Sequence, residues 1–446
     1  MKRVMLIVAI VFAVIAGSAG AQESLMAEAG KAMQTSSAFL RSIATNGGYV
    51  GIYSPDLKQR YGEAVYEKAA ENEIWVQPPG TPSIGMCFLR AYRITGDDMY
   101  LRAAREVGRA LAWGQRKEGG WDHRVDVSHM KSDPAMPERN SGRCTLDDDI
   151  SQGAMTFLIE LDSELDEKWL TGSIELALRF MQDSQFENGA WPQWYPLIGG
   201  YHDYYTYNDN TINDCIAMMV KAHRVYGRDA YIGSARLGGD FIVMSQLPPP
   251  QTGWAQQYSH DMKPAWARAF EPPAVCSAVT ARNIRTLVDL YLYTKDKKYL
   301  EPIPAAITWL ENSKLDDDLW ARMYEVGTNK PIYGDRDKKI HYTLEEISEE
   351  RRNGYSWQSG FGVRSAVAYY NEVKNTDPEA YVITKSKPET LEQRKQRHKE
   401  LAPRVREYIS SLDGSGRWID KETNLIYARD FVRNFNILCD YLETAK

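Results

Sequence analysis

The sequence predicts an all-α fold, an α/α toroid (an incomplete α/α barrel) in which helical hairpins stack side by side and long loops gather at one rim. Three observations predict it. An aromatic motif recurs at a nearly constant step, a second aromatic motif recurs at a similar step, and the segments between them have helical periodicity, while strand patterns are few. Repeats of this size are typical of stacked units that bury their apolar faces against their neighbours.

The first motif ends on an aromatic residue that follows small or polar residues. Its copies are "NGGY", "EGGW", "NGAW", "QTGW" and "DDLW", which end at Tyr49, Trp121, Trp191, Trp254 and Trp320, and "GSGRW" at Trp418 is interpreted as a divergent copy. The steps between the first five are 63 to 72 residues. The second motif, with "TGDDMYL", "LDEKWL", "GRDAYI" and "KDKKYL", recurs at a similar step and predicts a short turn.

Amphipathic segments flank these turns. Apolar residues fall on one face of 100–115, and the segments 215–226, 283–293, 394–411 and 427–442 have the same helical pattern. Each repeat is therefore predicted to be a helix, a short turn, a second helix and a longer loop.

The longer loops are the candidates for function. They cover residues 119–149, 186–210, 248–273 and 320–357. In a toroid of hairpins these loops end on the same rim, so residues that are distant in sequence can meet there.

The first residues predict an export signal. Lys2 and Arg3 precede an apolar run over 4–16, and Ala19-Gly20-Ala21 forms a cleavage site. The run is too short to span a membrane comfortably. We therefore expect residues 1–21 to be a signal peptide and residues 22–446 to form a single catalytic domain. The protein is expected to be a secreted or periplasmic monomer with no membrane span after signal removal.

Composition excludes some functions. A net charge of −6 over 446 residues, with 26% charged residues, does not indicate binding to nucleic acid. The five cysteines are far apart and form no C-x-x-C motif, so a structural zinc site has no support. They are expected to be buried thiols with at most one or two disulfides.

Two acidic stretches precede predicted helices. "TLDDDIS" contains Asp147, and "YNDNTI" contains Asp209, 62 residues later and close to one repeat step. Neighbouring helix starts would bring these carboxylates together, and oxygen ligands from neighbouring loops suit Ca²⁺. Helix capping is the alternative, since one or two carboxylates often cap a helix start. The residues alone leave both interpretations open.

Three arginines lie in the predicted rim loops. Arg268, in "WARAFEPPAV", has bulky and rigid neighbours, and pairing with Glu271 or stacking on an aromatic ring is its ordinary interpretation. Arg322 and Arg336 lie in the loop 320–357, whose length favours function. Guanidinium groups match carboxylates bidentately. Arginines and aspartates together fit a carboxylate-bearing polyanion with a bridging cation.

Several motifs resemble the pectate lyases of polysaccharide lyase family ten. They are "NGAWPQWYPL", "YNDNTI", "GWAQQY", "WARAFEPPAV" and "ARMYEVGTNKPIYGDRD", in order between about Gly119 and Trp357. The resemblance implies an α/α toroid that cleaves polygalacturonate (pectate), an acidic polysaccharide. The reaction it implies is Ca²⁺-assisted β-elimination, which gives 4,5-unsaturated oligogalacturonides.

The resemblance also implies residue roles. Arg268 matches the base that takes the C5 proton, Arg322 and Arg336 match two substrate-binding arginines, and Asp147 and Asp209 match ligands of Ca²⁺. Because arginine is normally protonated, this assignment predicts a strongly alkaline pH optimum.

The sequence departs from the family at two places. Residues 119–123 are Gly-Gly-Trp-Asp-His where the family has G-G-W-P-K, and Asp148 stands where the family often has Asn. Two other functions stay open. One is another α/α-toroid carbohydrate enzyme, a glycoside hydrolase with Asp147 and Asp209 as its acid and base. The other is a non-catalytic pectin-binding protein.

Overall fold

A computed structural model describes residues 24–128 and 139–445. The predicted signal peptide, residues 1–21, lies outside these ranges and stays a prediction. Helices are the main elements of the described residues, with bounds α1 (24–42), α2 (Thr81–Thr95), α3 (Asp98–Gly114), α4 (Ile150–Asp162), α5 (Lys168–Asp183), α6 (Thr211–Tyr226), α7 (Asp229–Met244), α8 (Ser277–Thr294), α9 (Ile303–Asn312), α10 (Glu349–Gly354), α11 (Val363–Val373), α12 (Pro378–Lys385), α13 (Leu391–Ser411) and α14 (Ala428–Glu443).

The helices form the predicted α/α toroid. One series packs side by side in the order α14, α2, α4, α6, α8 and α11, and we call these the inner helices. A second helix packs against each of the first five: α13 on α14, α3 on α2, α5 on α4, α7 on α6, and α9 on α8. The predicted helices at 100–115, 215–226, 283–293, 394–411 and 427–442 are confirmed by α3, α6, α8, α13 and α14.

Connections of two lengths alternate along the chain. Short turns lead from an inner helix to its partner, for example at residues 96–97 and 227–228. Long loops lead from each partner to the next inner helix, for example over 115–149 and 184–210. The long loops therefore gather at one end of the toroid, which we call the rim, and the short turns lie at the other end.

One hydrogen bond explains the recurrent tryptophan. In each copy the indole N–H donates to a backbone carbonyl near the end of the preceding helix, at 2.7–2.9 Å: Trp121 to Leu111, Trp191 to Met181, Trp254 to Ile242, Trp320 to Leu310 and Trp418 to Tyr408. Carbonyls at helix ends lack helical partners, so each bond satisfies one and fixes where the rim loop begins. Trp418 is confirmed as a further copy of the repeat.

Glycine before the tryptophan has a steric cause. Gly189 has φ +93°, and a Cβ there would lie 2.0 Å from the carbonyl oxygen of Leu237. Gly119 has φ +109° and the same kind of close approach to Leu176. A side chain cannot enter either position without moving the neighbouring helix.

Short strands join the rim loops to one another. They are β1 (Ile52–Tyr53), β2 (Arg60–Tyr61), β3 (Glu73–Trp75), β4 (Arg124–Asp126), β5 (Cys144–Thr145), β6 (Trp194–Tyr195), β7 (Tyr205–Thr206), β8 (Trp254–Ala255), β9 (Gln257–Tyr258), β10 (Ala274–Cys276), β11 (Lys314–Asp316), β12 (Leu319–Ala321), β13 (Met323–Glu325), β14 (Pro331–Gly334), β15 (Ile340–His341), β16 (Gln358–Ser359) and β17 (Ile426–Tyr427). The largest sheet has the order β15-β14-β13-β10-β8. Strands of two to four residues are too short to show the alternation from which a sequence predicts them.

A continuous apolar core runs from α1 to α14. All five cysteines are buried and unpaired, so the expectation of buried thiols is confirmed and no disulfide is present among them. Within the described ranges, no helix combines the length and apolar character needed to cross a membrane.

Candidate active site at the rim

The starts of α4 and α6 share an unusual backbone. Two consecutive residues before each helix have positive φ: Asp148 and Asp149 at 52° and 56°, and Asp209 and Asn210 at 45° and 66°. Among residues other than glycine, aspartate and asparagine adopt this conformation most readily. Asp148 is therefore the structural equivalent of Asp209, whereas the sequence spacing had paired Asp209 with Asp147.

Neither helix start is capped by these side chains. Asp149 and Asn210 occupy the N-cap positions, but neither side chain accepts a hydrogen bond from its helix. The Asn210 side chain accepts from Nε of Arg282 at 2.9 Å, and Nδ2 of Asn208 donates to Oδ2 of Asp209 at 2.6 Å. The capping interpretation is therefore wrong for the side chains of Asp149 and Asn210.

Three carboxylates from the two helix starts meet at the rim. One oxygen each of Asp147, Asp148 and Asp209 lies within 4.8 Å of the others, and we call this group the aspartate cluster. Gln193 donates to Oδ2 of Asp147, and Gln77 donates to Oδ2 of Asp148 at 3.3 Å. Oδ1 of Asp147 is buried and has no partner among the described residues.

The aspartate cluster is electrostatically strained. Burial, together with the charges of Asp209 and Asp148, raises the pKa of Asp147 to about 8. Burial and the charge of Asp209 raise the pKa of Asp148 to about 6. Neighbouring like charges oppose the ionised forms. A hard divalent cation would relieve this repulsion and use the free oxygen of Asp147, so the donor set fits Ca²⁺.

Arg268 lies beside the aspartate cluster. Its Nη2 is 3.5 Å from Oδ2 of Asp209, and it donates to Oδ1 of Asn208 at 3.3 Å. Its Nε and Nη2 also donate to the two oxygens of Glu271, at 2.8 and 2.6 Å. Glu271 is 1% exposed, and the hydroxyl of Tyr355 donates to it at 3.0 Å. The pairing with Glu271 expected from the sequence is thus present, and Glu271 holds the guanidinium of Arg268 next to the carboxylates.

These contacts favour the charged form of Arg268. Burial opposes it, but the hydrogen bonds and charge of Glu271 and the charge of Asp209 prevail and raise the pKa of Arg268 above its ordinary value. The contacts of Arg268 thus oppose loss of its proton.

Aromatic rings connect Arg268 to the other two predicted arginines. The guanidinium of Arg322 lies 4.7 Å from the ring of Tyr355, which also contacts Glu271. The guanidiniums of Arg336 and Arg268 lie 6.0 and 5.3 Å from the ring of Phe270. The rings of Phe270 and Tyr355 contact each other at 5.2 Å, so the structure brings the three predicted arginines around one pair of rings.

The two outer arginines differ in their freedom. Nε of Arg322 donates to the carbonyl of Ser356 at 2.7 Å, which fixes the side chain. Arg336 forms a bidentate pair with Glu350 at 2.9 and 3.0 Å, and its side chain is 64% exposed. Arg336 would have to exchange Glu350 for a ligand carboxylate.

Asp122 and His123, which depart from the family pattern, lie near Asp148 of the aspartate cluster. Asp122 pairs with Arg143 at 2.8 Å and with Nδ1 of His123 at 3.0 Å. Burial opposes ionisation of Asp122, but these partners lower its pKa to about 2. Arg143 lies 4.3 Å from the ring of Trp194, which stacks on His202 at 3.4 Å.

Sequence reasoning missed several contributors to this site. The resemblance did not assign Asp148 as a cation ligand, although the run of three aspartates was the available signal. Glu271 was a candidate partner for Arg268, and its spacing of three residues made the contact detectable. Sequence reasoning assigned no role to Gln193 and Tyr355, which reach the site from two other loops, or to Phe270, which lies beside Arg268 in the same motif.

Solved structures show the same fold. A family 10 polysaccharide lyase from Cellvibrio cellulosa superposes with a TM-score of 0.51 and 22% identity, over 66% of this chain and 97% of that chain. An aspartate-to-alanine variant of that lyase, in complex with trigalacturonic acid, gives 0.50 and 22%, over 66% and 98%. No curated protein matches the sequence. The protein is thus an α/α toroid with an acidic and arginine-rich site at its rim.

Family membership follows from the sequence match. Residues 115–318 and 316–366 match the sequence model of pectic acid lyases, which together is more than half of the chain. The chain belongs to the pectic acid lyase family, and it is a polysaccharide lyase. The matched region contains the aspartate cluster and all three arginines of the predicted site.

Proposed function

We propose that this protein is a secreted pectate lyase that cleaves polygalacturonate, an acidic polysaccharide, by Ca²⁺-assisted β-elimination. The observation that carries the proposal is the contact between Arg268 and Asp209 at the edge of the aspartate cluster, in a chain of the pectic acid lyase family. In this arrangement the cation would neutralise the substrate carboxylate, and the arginine would take the proton from the neighbouring carbon.

Asp147, Asp148 and Asp209 would hold the cation. When bound, Ca²⁺ would neutralise the uronate carboxylate and stabilise the negative charge that develops on it. The free oxygen of Asp147 and the raised pKa values of Asp147 and Asp148 support this assignment. Gln193 orients Asp147, and Asn208 orients Asp209.

Arg268 is assigned the proton transfer. The C5–H bond of the uronate breaks and the proton passes to the guanidine of Arg268. The electron pair forms the C4–C5 double bond, and the C4–O4 bond breaks as the O4 group leaves and takes a proton from water. The products are one chain with a 4,5-unsaturated end and one chain whose new end is a saturated sugar with a free O4 hydroxyl.

Arg268 can act as a base only after it loses a proton. Glu271 and Asp209 both oppose that loss, because each stabilises the charged guanidinium. The proposal therefore requires an alkaline working pH, and the structure sharpens this sequence prediction. Binding of a cation to Asp209 would remove one of the two charges that hold Arg268 protonated.

Arg322 and Arg336 are assigned to the carboxylates of neighbouring sugar units. Arg322 is held in place by Ser356 and by the ring of Tyr355, so it offers a preorganised charge. Arg336 is more exposed and would contribute through exchange of its pair with Glu350. Each would bind the substrate and fix its register without taking part in proton transfer.

The test is product formation from polygalacturonate. We expect ultraviolet absorbance of an unsaturated uronide to rise with added Ca²⁺ and to stop with EDTA. A glycoside hydrolase would release reducing ends without this absorbance, and a non-catalytic pectin-binding protein would release neither. Either result would reject the lyase proposal.

Export is tested separately. We propose that residues 1–21 are removed and that residues 22–446 form one catalytic domain in the periplasm or outside the cell. Mass spectrometry of the protein from the exported fraction should give a mature chain that begins at Gln22. A full-length chain retained in the cytoplasm would contradict this.

A further inference from the structure

A cavity of about 520 Å³ lies close to the aspartate cluster. Tyr66 and Lys68 line it from one segment, and Asp122, His123 and Arg124 line it from the loop that follows α3. Its volume falls in the range of small-molecule sites in proteins. None of the residues assigned above to catalysis or to substrate binding lines it.

The segment that carries Tyr66 and Lys68 lies outside the family match, which begins at residue 115. It is nevertheless well ordered by hydrogen bonds. The guanidinium of Arg60 donates to three backbone carbonyls at 2.6–2.8 Å, those of Ala70, Glu71 and Glu73. β3 pairs with β4 and places Trp75 opposite Arg124, so the segment is fixed against the matched loop.

The cavity lies close to the aspartate cluster. The residue that follows this segment, Gln77, donates to Asp148 of the aspartate cluster at 3.3 Å. Arg143 lines the cavity and also stacks on Trp194. A polymer bound at the aspartate cluster would therefore lie close to the cavity.

The charges of the cavity favour an anion. Asp122 is already paired with Arg143 and His123. Lys68 forms no ion pair within the described ranges. Arg124 has a long ion pair with Glu73, at 3.8 Å, and its Nη1 donates to the backbone carbonyl of Lys68 at 3.4 Å. Glu67 is the opposing charge, and its Oε2 accepts from the backbone N–H of Glu63 at 3.1 Å.

The cavity also offers an aromatic face. Tyr66 is 83% exposed, which is unusual for a large ring. An exposed aromatic ring beside the unpaired Lys68 and the weakly paired Arg124 suits a ligand with an apolar face and a negative group, as in a uronate sugar.

We propose that this cavity is an additional uronate subsite. Lys68 and Arg124 bind the carboxylate of a sugar unit at a distance from the scissile bond, and Tyr66 packs against its ring. The inference rests on the proposed function for its substrate class. It makes the N-terminal segment, which the family match does not include, a determinant of chain-length preference.

The experiment compares substrates of increasing length. The double variant Lys68→Ala/Arg124→Ala is assayed on polygalacturonate and on a series of oligogalacturonates, with Lys58→Ala as the matched control from the same segment, whose side chain is 80% exposed. We expect kcat/KM to fall about tenfold on long substrates, as for the loss of a charge-assisted hydrogen bond. The shortest cleaved oligomer should keep the wild-type value. Tyr66→Ala should give a smaller loss with the same dependence on length.

Other outcomes overturn the inference. An equal loss at every length would mean that the variant damages the active site, and no loss at any length would mean that the cavity is not a subsite. Wild-type protein that gives no unsaturated product would reject the proposed function instead. In that case, calorimetric titration of wild type and double variant with a long oligogalacturonate decides the subsite, and equal affinities would reject it.

Discussion

Glu167 and Glu160 at the short-turn end have the opposite electrostatic environment to the aspartate cluster at the rim. At the short-turn end, a hydrogen bond from Arg105 lowers the pKa of Glu167. Burial opposes ionisation of Glu160, but its hydrogen bond with Lys221 helps to lower its pKa as well. At the rim, burial and like charge raise the pKa values of Asp147 and Asp148 to about 8 and 6.

This difference indicates that the rim carries the function and that the short-turn end contributes mainly to stability. Opposite charges at the short-turn end join neighbouring helices and contribute to stability. The like charges of the aspartate cluster lower stability, and such electrostatic strain is typical of functional sites. Changes at the rim should therefore alter activity more than folding, and changes at the other end should do the reverse.

The largest effect is expected at Arg268. Arg268→Ala should lower kcat on the order of 10³-fold, because a proton-transfer group is lost. Arg268→Lys should retain part of the activity and shift the optimum to lower pH, since lysine loses its proton more readily than arginine. Arg322→Ala serves as the control and should raise KM more than it lowers kcat. If the wild-type protein has an acid optimum and Arg268→Lys retains it, that result would count against Arg268 as the base.

The two equivalent aspartates should differ next. Asp209→Asn should lower kcat/KM on the order of 10²-fold, because it removes both a cation ligand and the neighbour of Arg268. Asp148→Asn, at the same backbone position of the adjacent repeat, should lose much less. Calcium titrations of both variants by calorimetry accompany the kinetics. Equal losses of kcat/KM in the two variants would show that the two aspartates contribute equally, and the distinction between the starts of α4 and α6 would be wrong.

Calcium should stabilise the protein more at alkaline pH than at acid pH. The pKa of Asp147 is raised to about 8, so in the absence of a cation its contribution to stability is present at low pH and is lost as pH rises toward 8. Ca²⁺ binds the ionised form and should offset that loss. Melting curves with and without Ca²⁺ should therefore differ by several degrees at pH 8.5 and by much less at pH 5.5. A larger shift at pH 5.5 would contradict the raised pKa.

The smallest effect is expected at the short-turn end. Arg105→Ala removes the partner of Glu167, and the side chain of Arg105 is 41% exposed, so solvent screens the pair. The free energy of unfolding should fall by about 0.5–1 kcal/mol, with kcat/KM unchanged. Urea unfolding and the lyase assay measure the two quantities. A loss of activity without a loss of stability would remove the contrast between the two ends.

Much of the fold could be predicted because the repeat leaves a local trace. The indole N–H of Trp121 or Trp191 donates a hydrogen bond to the helix that precedes it in the chain. Because each repeat forms this bond, the motif recurs once in each repeat. The site was predictable in part for the same reason, since Asp147 and Asp209 precede adjacent inner helices. The register of Asp148 with Asp209 was not predictable, because backbone dihedrals rather than spacing define it.

The sequence by itself determined the helical repeat, the acidic helix starts and the arginine motifs, because each depends on residues close together in the chain. Only the tertiary structure decided that Asp148 completes the aspartate cluster, that Glu271 keeps Arg268 charged, and that a segment outside the family match lines a cavity beside the site. These features depend on burial and on distances between loops. Such quantities exist only once the inner helices have packed side by side.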